Sequence, residues 1–266
     1  MSTAVKAAME AGRFLQKRIN DVDLKIEYKK KDDPVTAMDR EAEKMIIAAI
    51  KESYPDHSFL GEESGESGLK GSSDYKWIID PIDGTKNFIK KEDGFSVSIG
   101  VEYKKELIVG VIYAPMLDLL FTAEKGKGAF CNGERIRVSD MKEKEKARIL
   151  VTTGYCSDKE FGTKVREAMF REFPLSFNLF KAEYFETFGW TNGSAALELA
   201  YLAKGEIDAV VNFGQKPWDI AAGIVVLREA CGVITDLDGK EQSMKNEEVV
   251  AGNAVLHKMI LGIIGR

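Results

Sequence analysis

The sequence predicts an α+β chain in two halves, an antiparallel sheet followed by strands that alternate with helices. Two observations carry this. "FSVSIGVEY" alternates apolar and polar residues, and "ELIVGVIYAP" and "LLFTAEKGKGAFCNGERIRVS" continue as strands joined by glycine turns, an antiparallel signature. From about residue 148 the rhythm changes to "ARILVTT", a helix over 161–172, "SAALELAYLAKG", "DAVVNF", "DIAAGIVVLREACG" and "VITDL", which reads as strands covered by helices.

Two helices open the chain. Residues 2–19 carry Val5, Ala8, Met9, Leu15 and Ile19 at helical spacing. Residues 39–53 do the same with Ala42, Met45, Ile46 and Ile50, and Pro55 stops that helix. "GEESGESGLKGSSD" then reads as an exposed loop. In "WIIDPIDGTKNF", residues 77–88, Trp77, Ile78 and Ile79 predict a buried strand. The charged segment "SDMKEKEKAR" is the best linker, dividing 1–140 from 141–266 as halves of one compact unit.

Composition bounds the function. With 266 residues, 44% hydrophobic and 30% charged, the chain is a globular protein with a sizeable core. No apolar run approaches the roughly 18 to 20 residues that cross a bilayer, and "MSTAVKAAMEAGRF" lacks the pattern of a signal peptide. A cytoplasmic protein with no membrane partner is expected. A net charge of −5 argues against nucleic acid as a partner, and the basic stretch from Lys17 to Lys31 reads as solvated surface. Cys131, Cys156 and Cys231 form no zinc or redox pattern and read as reduced small hydrophobes. His57 and His257 read as structural. "GKGAFCNG" fails as a dinucleotide fingerprint, and no Gly-x-Ser-x-Gly elbow is present.

The chemistry concentrates after the strand at 77–79. "DGTKNF" supplies a helix start, where free N–H groups attract anions, with Gly84 allowing close backbone approach and Thr85 adding a hydroxyl. Asp80 and Asp83 flank it. Two carboxylates would repel an anion unless a cation sat between them, and an oxygen-rich site of this kind suits Mg²⁺. The plainer reading of either aspartate is an Asx-turn or a helix cap. "GEES" at 61–64 adds Glu62 and Glu63, and "PWDIAAG" at 217–223 puts Asp219 at a helix start, where capping is again the plainer reading.

Taken together these stretches resemble the inositol monophosphatase family of metal-dependent phosphomonoesterases. "WIIDPIDGTKNF" and "PWDIAAGIVVLREACG" match its two signatures, and "PVTAMD", "GEES", "GKGAFCNGERIRVS" and "GSAALELAYLAKGEIDA" match in order and spacing along nearly the whole chain. The resemblance implies a layered αβαβα sandwich, an antiparallel sheet half followed by a mixed sheet half with covering helices. It also implies hydrolysis of small phosphate monoesters, inositol 1-phosphate and related sugar phosphates foremost, with two to three Mg²⁺ ions and a homodimer. Glu63, Asp80 and the Ile82 carbonyl would bind the first ion, Asp80 would bridge to a second shared with Asp83 and Asp219, and a third would lie near Glu63. Glu63 and Thr85 would orient the attacking water, with Asp39 polarising Thr85. The N–H groups of Gly84 and Thr85 would hold phosphate oxygens, and "YKKKDDPVT" at 28–36 would be a mobile loop that closes over the site.

Where this chain departs from its relatives concerns substrate. A family glutamate that accepts inositol hydroxyls is Asn212 here, and an arginine is replaced by Trp190. Asn lacks the charge that strengthens a hydrogen bond, and the remaining polyol contacts would be Asp83, Ser194 and the Ala195 backbone. Modest selectivity is therefore expected, with Asn212→Glu shifting preference toward inositol phosphate. Fructose-1,6-bisphosphatase, a 3′-phosphoadenosine-type phosphatase and a non-catalytic regulatory homologue are the alternatives.

Overall fold

A computed structural model describes residues 1–21, 26–30, 33–68, 73–174, 176–178 and 193–265. Trp190 lies outside the described residues, as do positions 31 and 32 of the expected mobile loop. The first half builds one sheet from β3 (Ser58–Gly61), β4 (Gly65–Ser67), β5 (Tyr75–Asp83), β6 (Ser96–Tyr103), β7 (Glu106–Ala114), β8 (Leu119–Glu124), β9 (Gly128–Cys131) and β10 (Glu134–Arg135). Its order is β10-β9-β8-β7-β6-β5-β3-β4, antiparallel throughout except where β3 runs parallel to β5. Ahead of it, β1 (Glu27–Lys30) and β2 (Asp33–Val35) pair as a small antiparallel hairpin.

The second sheet comes from β11 (Ile149–Thr152), β12 (Ser176–Asn178), β13 (Ala209–Asn212), β14 (Val233–Thr235) and β15 (Val249–Gly252), in the order β12-β11-β13-β15-β14. It is mixed, because β11 is parallel to both β12 and β13 while β15 is antiparallel to β13 and β14.

Helices separate and cover the sheets. On the outer face of the first sheet lie α1 (Ser2–Arg18) and α2 (Ala37–Ser53), whose Ala8, Leu15, Ile46 and Ile50 share a core with Ile79, Ile99 and Val111. Between the sheets lie α5 (Ala195–Lys204) and α6 (Pro217–Glu229), joined in one core with Ile112 and Phe121 of the first sheet and Leu150 and Val210 of the second. A helix buried on all sides must be apolar all round, and α6 is, with every residue from Ile220 to Leu227 buried. Outside the second sheet, α4 (Lys159–Glu172) and α7 (Ala254–Ile264) pack Val165, Met169, Leu256 and Ile260 against Ile149, Val151 and Val211. The result is the five-layer αβαβα sandwich. Among the described residues no helix is long and apolar enough to cross a membrane.

One segment differs from its sequence reading. The stretch from Gly61 folds into the β3–β4 hairpin rather than an open loop, pairing Phe59 with Ser67 and Gly61 with Gly65. The cause is distant in sequence. The buried carboxylate of Glu43 on α2 accepts the N–H groups of Glu63 and Ser64, each at 2.9 Å, and so fixes the turn. The segment 139–148 contains no helix or strand, and buried Asp208 pins both its ends by accepting from Ser139 Oγ (2.6 Å) and from the Arg148 N–H (2.7 Å).

How close α6 lies to the first sheet is set by two glycines. A methyl group on Gly100 would come within 2.7 Å of Ala221 Cβ, and one on Gly110 would collide with the Ala222 carbonyl oxygen. Overpacking of this kind costs about 1–3 kcal/mol. Gly110→Ala is therefore expected to lower the urea midpoint with the slope unchanged, as equilibrium unfolding followed by circular dichroism would test.

Candidate active site

Residues three apart on a regular strand face opposite sides, so Asp80 and Asp83 should diverge. A bulge prevents this. Asp80 pairs with Ser98 and Asp83 with Ser96, so β5 fits one more residue than β6 into the same interval. Asp80 Oδ1 accepts the Ile82 N–H at 3.0 Å and holds the kink. Gly84 then turns the chain at φ 98 to start α3 (Thr85–Lys90), where a Cβ would lie 2.9 Å from the Gly94 carbonyl oxygen.

Asp83 ends at the start of α5. Its carboxylate accepts from Ser194 Oγ (2.5 Å), the Ala196 N–H (2.7 Å) and the Ala195 N–H (3.3 Å). Ser194 and Ala195, expected to touch a polyol, are thus directed at Asp83. The third aspartate arrives on α6, where Asp219 Oδ2 closes the helix cap on the Lys216 N–H at 2.7 Å. The capping role is real, and it leaves the other carboxylate oxygen for the site. Asp80, Asp83 and Asp219 each offer one oxygen within 4.8 Å of the others.

Asp39 follows the same plan. At the third position of α2 its Oδ2 accepts from the N–H and the hydroxyl of Thr36, both at 2.7 Å, while Oδ1 accepts from Thr85 Oγ1 at 3.2 Å. The Thr85 hydroxyl also lies 3.1 Å from the Ile82 carbonyl oxygen. The sequence-expected Asp39–Thr85 pairing is present in the geometry.

Of the two loop glutamates, the structure brings Glu62 to the aspartates. The Glu62 charge bears on Asp39, Asp80, Asp83 and Asp219. Glu63, the residue chosen from sequence, instead pairs with Lys29 of β1 and lies 3.9 Å from Arg40 Nε. Lys29 also reaches Glu62 at 2.9 Å.

Asn212 ends β13, and its Nδ2 donates to Glu198 Oε2 on α5 at 2.6 Å. A carboxyl group thus stands beside position 212, supplied from another element. Asn212→Glu, expected from sequence to add a useful charge, would set two buried carboxylates against one another. Glu198 was missed because it reads as one polar residue in a helical run. Both histidines have structural partners: His57 stacks between Tyr54 and Tyr75 and accepts from Trp77 Nε1, and His257 pairs with Thr235 Oγ1.

Crowding and burial shape the electrostatics. Burial, then the charges of Glu62, Asp83 and Asp219, raises Asp80 well above the ordinary carboxylate range. Burial, then Asp83, does the same for Asp219. Burial pushes Asp83 up to about 7 against the pull of Ser194 and the Ala196 N–H. It likewise lifts Asp39 and Glu63 to about 6, opposed by Thr36 and Lys29 respectively, and Glu198 to about 8, opposed by Asn212. Hard oxygen donors that repel one another at this distance fit a divalent cation such as Mg²⁺.

Residues 1–265 match the model of the inositol monophosphatase family. The chain belongs to that family. It is similar to the Nus factor SuhB of Escherichia coli (strain K12), 39% identical over 98% of this chain and 94% of that one. It is also similar to the inositol-1-monophosphatase of Mesorhizobium japonicum, 37% identical with the same coverage of both chains. Among solved structures, the Thermotoga maritima IMPase superposes with a TM-score of 0.84 at 35% identity, over 98% of this chain and 94% of that one. Antiparallel and mixed sheets with layered helices are thus the architecture of inositol monophosphatases, which this chain shares.

The raised carboxylates give a pH signature. Each binds its proton more tightly in the folded protein than in the unfolded chain, where carboxyls titrate near about 4. Their stabilisation is fully present below that pH and is lost as pH rises toward the folded values, which reach about 8 at Glu198. In chelator, Tm is expected to fall across this window, less steeply in Asp219→Asn and in excess Mg²⁺. Scanning calorimetry against pH would check it, and equal slopes in all three would contradict it.

Proposed function

We propose that this chain is a Mg²⁺-dependent hydrolase of small phosphate monoesters, inositol 1-phosphate and related sugar phosphates foremost. The observation that carries the reading is the convergence of Asp80, Asp83 and Asp219 within 4.8 Å. These three, the Ile82 carbonyl and Glu62 would hold the metal, with Glu62 in the place that sequence had given to Glu63. Two to three Mg²⁺ ions bound there would neutralise phosphate charge and acidify a water.

The chain's own groups supply the rest. Asp39 Oδ1 accepts the Thr85 proton at 3.2 Å. That leaves the Thr85 oxygen facing the site as a proton acceptor for the attacking water. The water oxygen forms the new bond to phosphorus, its proton passes toward Thr85 and Asp39, and the ester oxygen departs and is protonated from solvent. The Gly84 and Thr85 N–H groups, at the open start of α3, orient the phosphate oxygens. The reading includes a homodimer, with 1–140 and 141–266 as halves of one unit.

A second reading comes from relatives named Nus factor SuhB. On it the chain is a regulatory partner in transcription, and the sequence-based exclusion of nucleic acid loses weight. Retention of all the acidic side chains favours the enzyme. A phosphate-release screen across inositol 1-phosphate, fructose 1,6-bisphosphate and adenosine 3′,5′-bisphosphate, with Mg²⁺ and with chelator, separates them. Turnover is expected only with Mg²⁺, and Asp80→Asn should abolish it while leaving the circular dichroism spectrum unchanged. Absence of turnover on every ester would leave the regulatory reading.

The relay makes a sharper prediction. Thr85→Ala and Asp39→Asn should each lower kcat by about 10² to 10⁴. The double variant should lose little more than either single one, because the two act as a unit. Steady-state kinetics of the three variants would show multiplicative losses if the residues act separately.

A further inference from the structure

Besides Asp39, α2 carries a second buried carboxylate. Glu43 stands four residues further along the helix and is 2% exposed. Among the described residues no cation pairs with it. Backbone groups alone occupy its two oxygens: Oε2 accepts the Glu63 N–H and Oε1 accepts the Ser64 N–H, each at 2.9 Å. Gly61 makes the room, because a Cβ there would lie 2.4 Å from Oε2 and 2.5 Å from Cδ of Glu43. Burying a carboxylate sacrifices far more hydration than burying a neutral acceptor. What its two bonds secure in return is the turn at 61–64.

That turn carries Glu62, and it is tied on two sides. Toward β5, Gly61 pairs with Ile79, and the Glu62 N–H donates to the Ile79 carbonyl at 3.1 Å, one residue before Asp80. Toward α2, Glu43 holds the next two N–H groups. The side-chain ion pairs make no choice between the glutamates, because Lys29 reaches both. The backbone anchors therefore carry the positioning. Residues four apart share one face of a helix, so Asp39 and Glu43 project from α2 together. Asp39 accepts from Thr85 Oγ1 at 3.2 Å while Glu43 holds the turn of Glu62. One rigid element thus locates both the Thr85 hydroxyl and Glu62 relative to β5.

Resting on the reading of the acid cluster as a cation site, we propose that Glu43 is a positioning residue for the cation. It touches neither metal nor substrate, and it acts by holding the 61–64 turn so that the Glu62 carboxylate faces Asp80, Asp83 and Asp219. Two N–H groups converge on one side chain here, and a carboxylate meets them with two acceptor oxygens. An amide of the same shape would set its NH₂ against one of the two donors. The bonds to a charged acceptor are also the stronger kind. Groups that support a metal ligand from behind change metal affinity by about 10- to 100-fold when they are lost.

The test is calorimetric titration of the full chain with MgCl₂, which reads the cation site without turnover. Glu43→Gln is expected to raise the Mg²⁺ Kd about tenfold or more. Gly61→Ala, which forces the Glu43 carboxylate aside, should do the same, and combining the two should cost no more than either alone. Glu62→Gln should also weaken binding, and adding Glu43→Gln to it should change little, because Glu43 acts through Glu62. A merely structural Glu43 would give losses that multiply with those of Glu62→Gln, and that result overturns the proposal. So does a Kd within twofold of wild type in Glu43→Gln. Absence of Mg²⁺ binding by the wild type would remove the cation reading and this proposal together. Mg²⁺ binding that follows the expected pattern without turnover of any phosphate ester would sink the hydrolase reading alone and leave the role of Glu43 supported.

Discussion

Mutual repulsion among buried carboxylates is the constraint around which this molecule is arranged. Two full charges separated by the 4.8 Å of the aspartate cluster oppose one another by about 3–4 kcal/mol at an effective dielectric near 20. Against this the fold sets the starts of helices. Asp39 caps α2, Asp83 receives the first N–H groups of α5, and Asp219 caps α6. A helix start contributes about 0.3–1 kcal/mol to a nearby anion, up to about 2 kcal/mol when partly buried. Three helix starts offset part of the repulsion and leave the remainder to protons or a cation. The raised carboxylates are the proton side of that balance.

Much of the surrounding architecture follows from delivering those charges to one point. The bulge in β5 turns two carboxylates of one strand to the same side. Asp219 can meet them only if α6 lies close on the first sheet, and Gly100 and Gly110 permit that approach. The Trp218 carbonyl, accepting from Ser98 Oγ at 3.3 Å, fixes the helix start against β6. The second sheet closes the layer from the other side and brings Glu198 and Asn212 to the neighbouring edge.

The parts legible in sequence are those with local causes. Strand alternation, the change of rhythm near residue 148 and the apolar run ending in Asp80 all record themselves within a few residues. So do Asp39 and Asp219, whose capping geometry is a short-range pattern that uses one carboxylate oxygen and leaves the other for a partner outside the helix. What sequence left open has distant causes. Glu62 and Glu63 are neighbours in a turn held by Glu43 of α2, far away in sequence, and nothing beside them in sequence tells which one faces the aspartates. The β3–β4 hairpin depends on the same contact, which its Gly/Ser/Glu composition conceals. Glu198 carries no local mark of its role, because its partner lies on a strand that follows the helix.

The burial of α6 between both sheets bears on how the chain reaches its native state. Asp80 and Asp83 come into register as soon as β5 and β6 pair, a contact between near neighbours in sequence. Asp219 can join them only after a long loop has closed and α6 has docked, and contacts of such separation form slowly because chain entropy opposes them. By sequence separation, the Asp80–Asp83 pairing is the nearer contact and the Asp219 contact the more distant one. Completion of the acidic cluster thus requires α6 to dock in the central layer, and the three carboxylates meet only once that layer has closed.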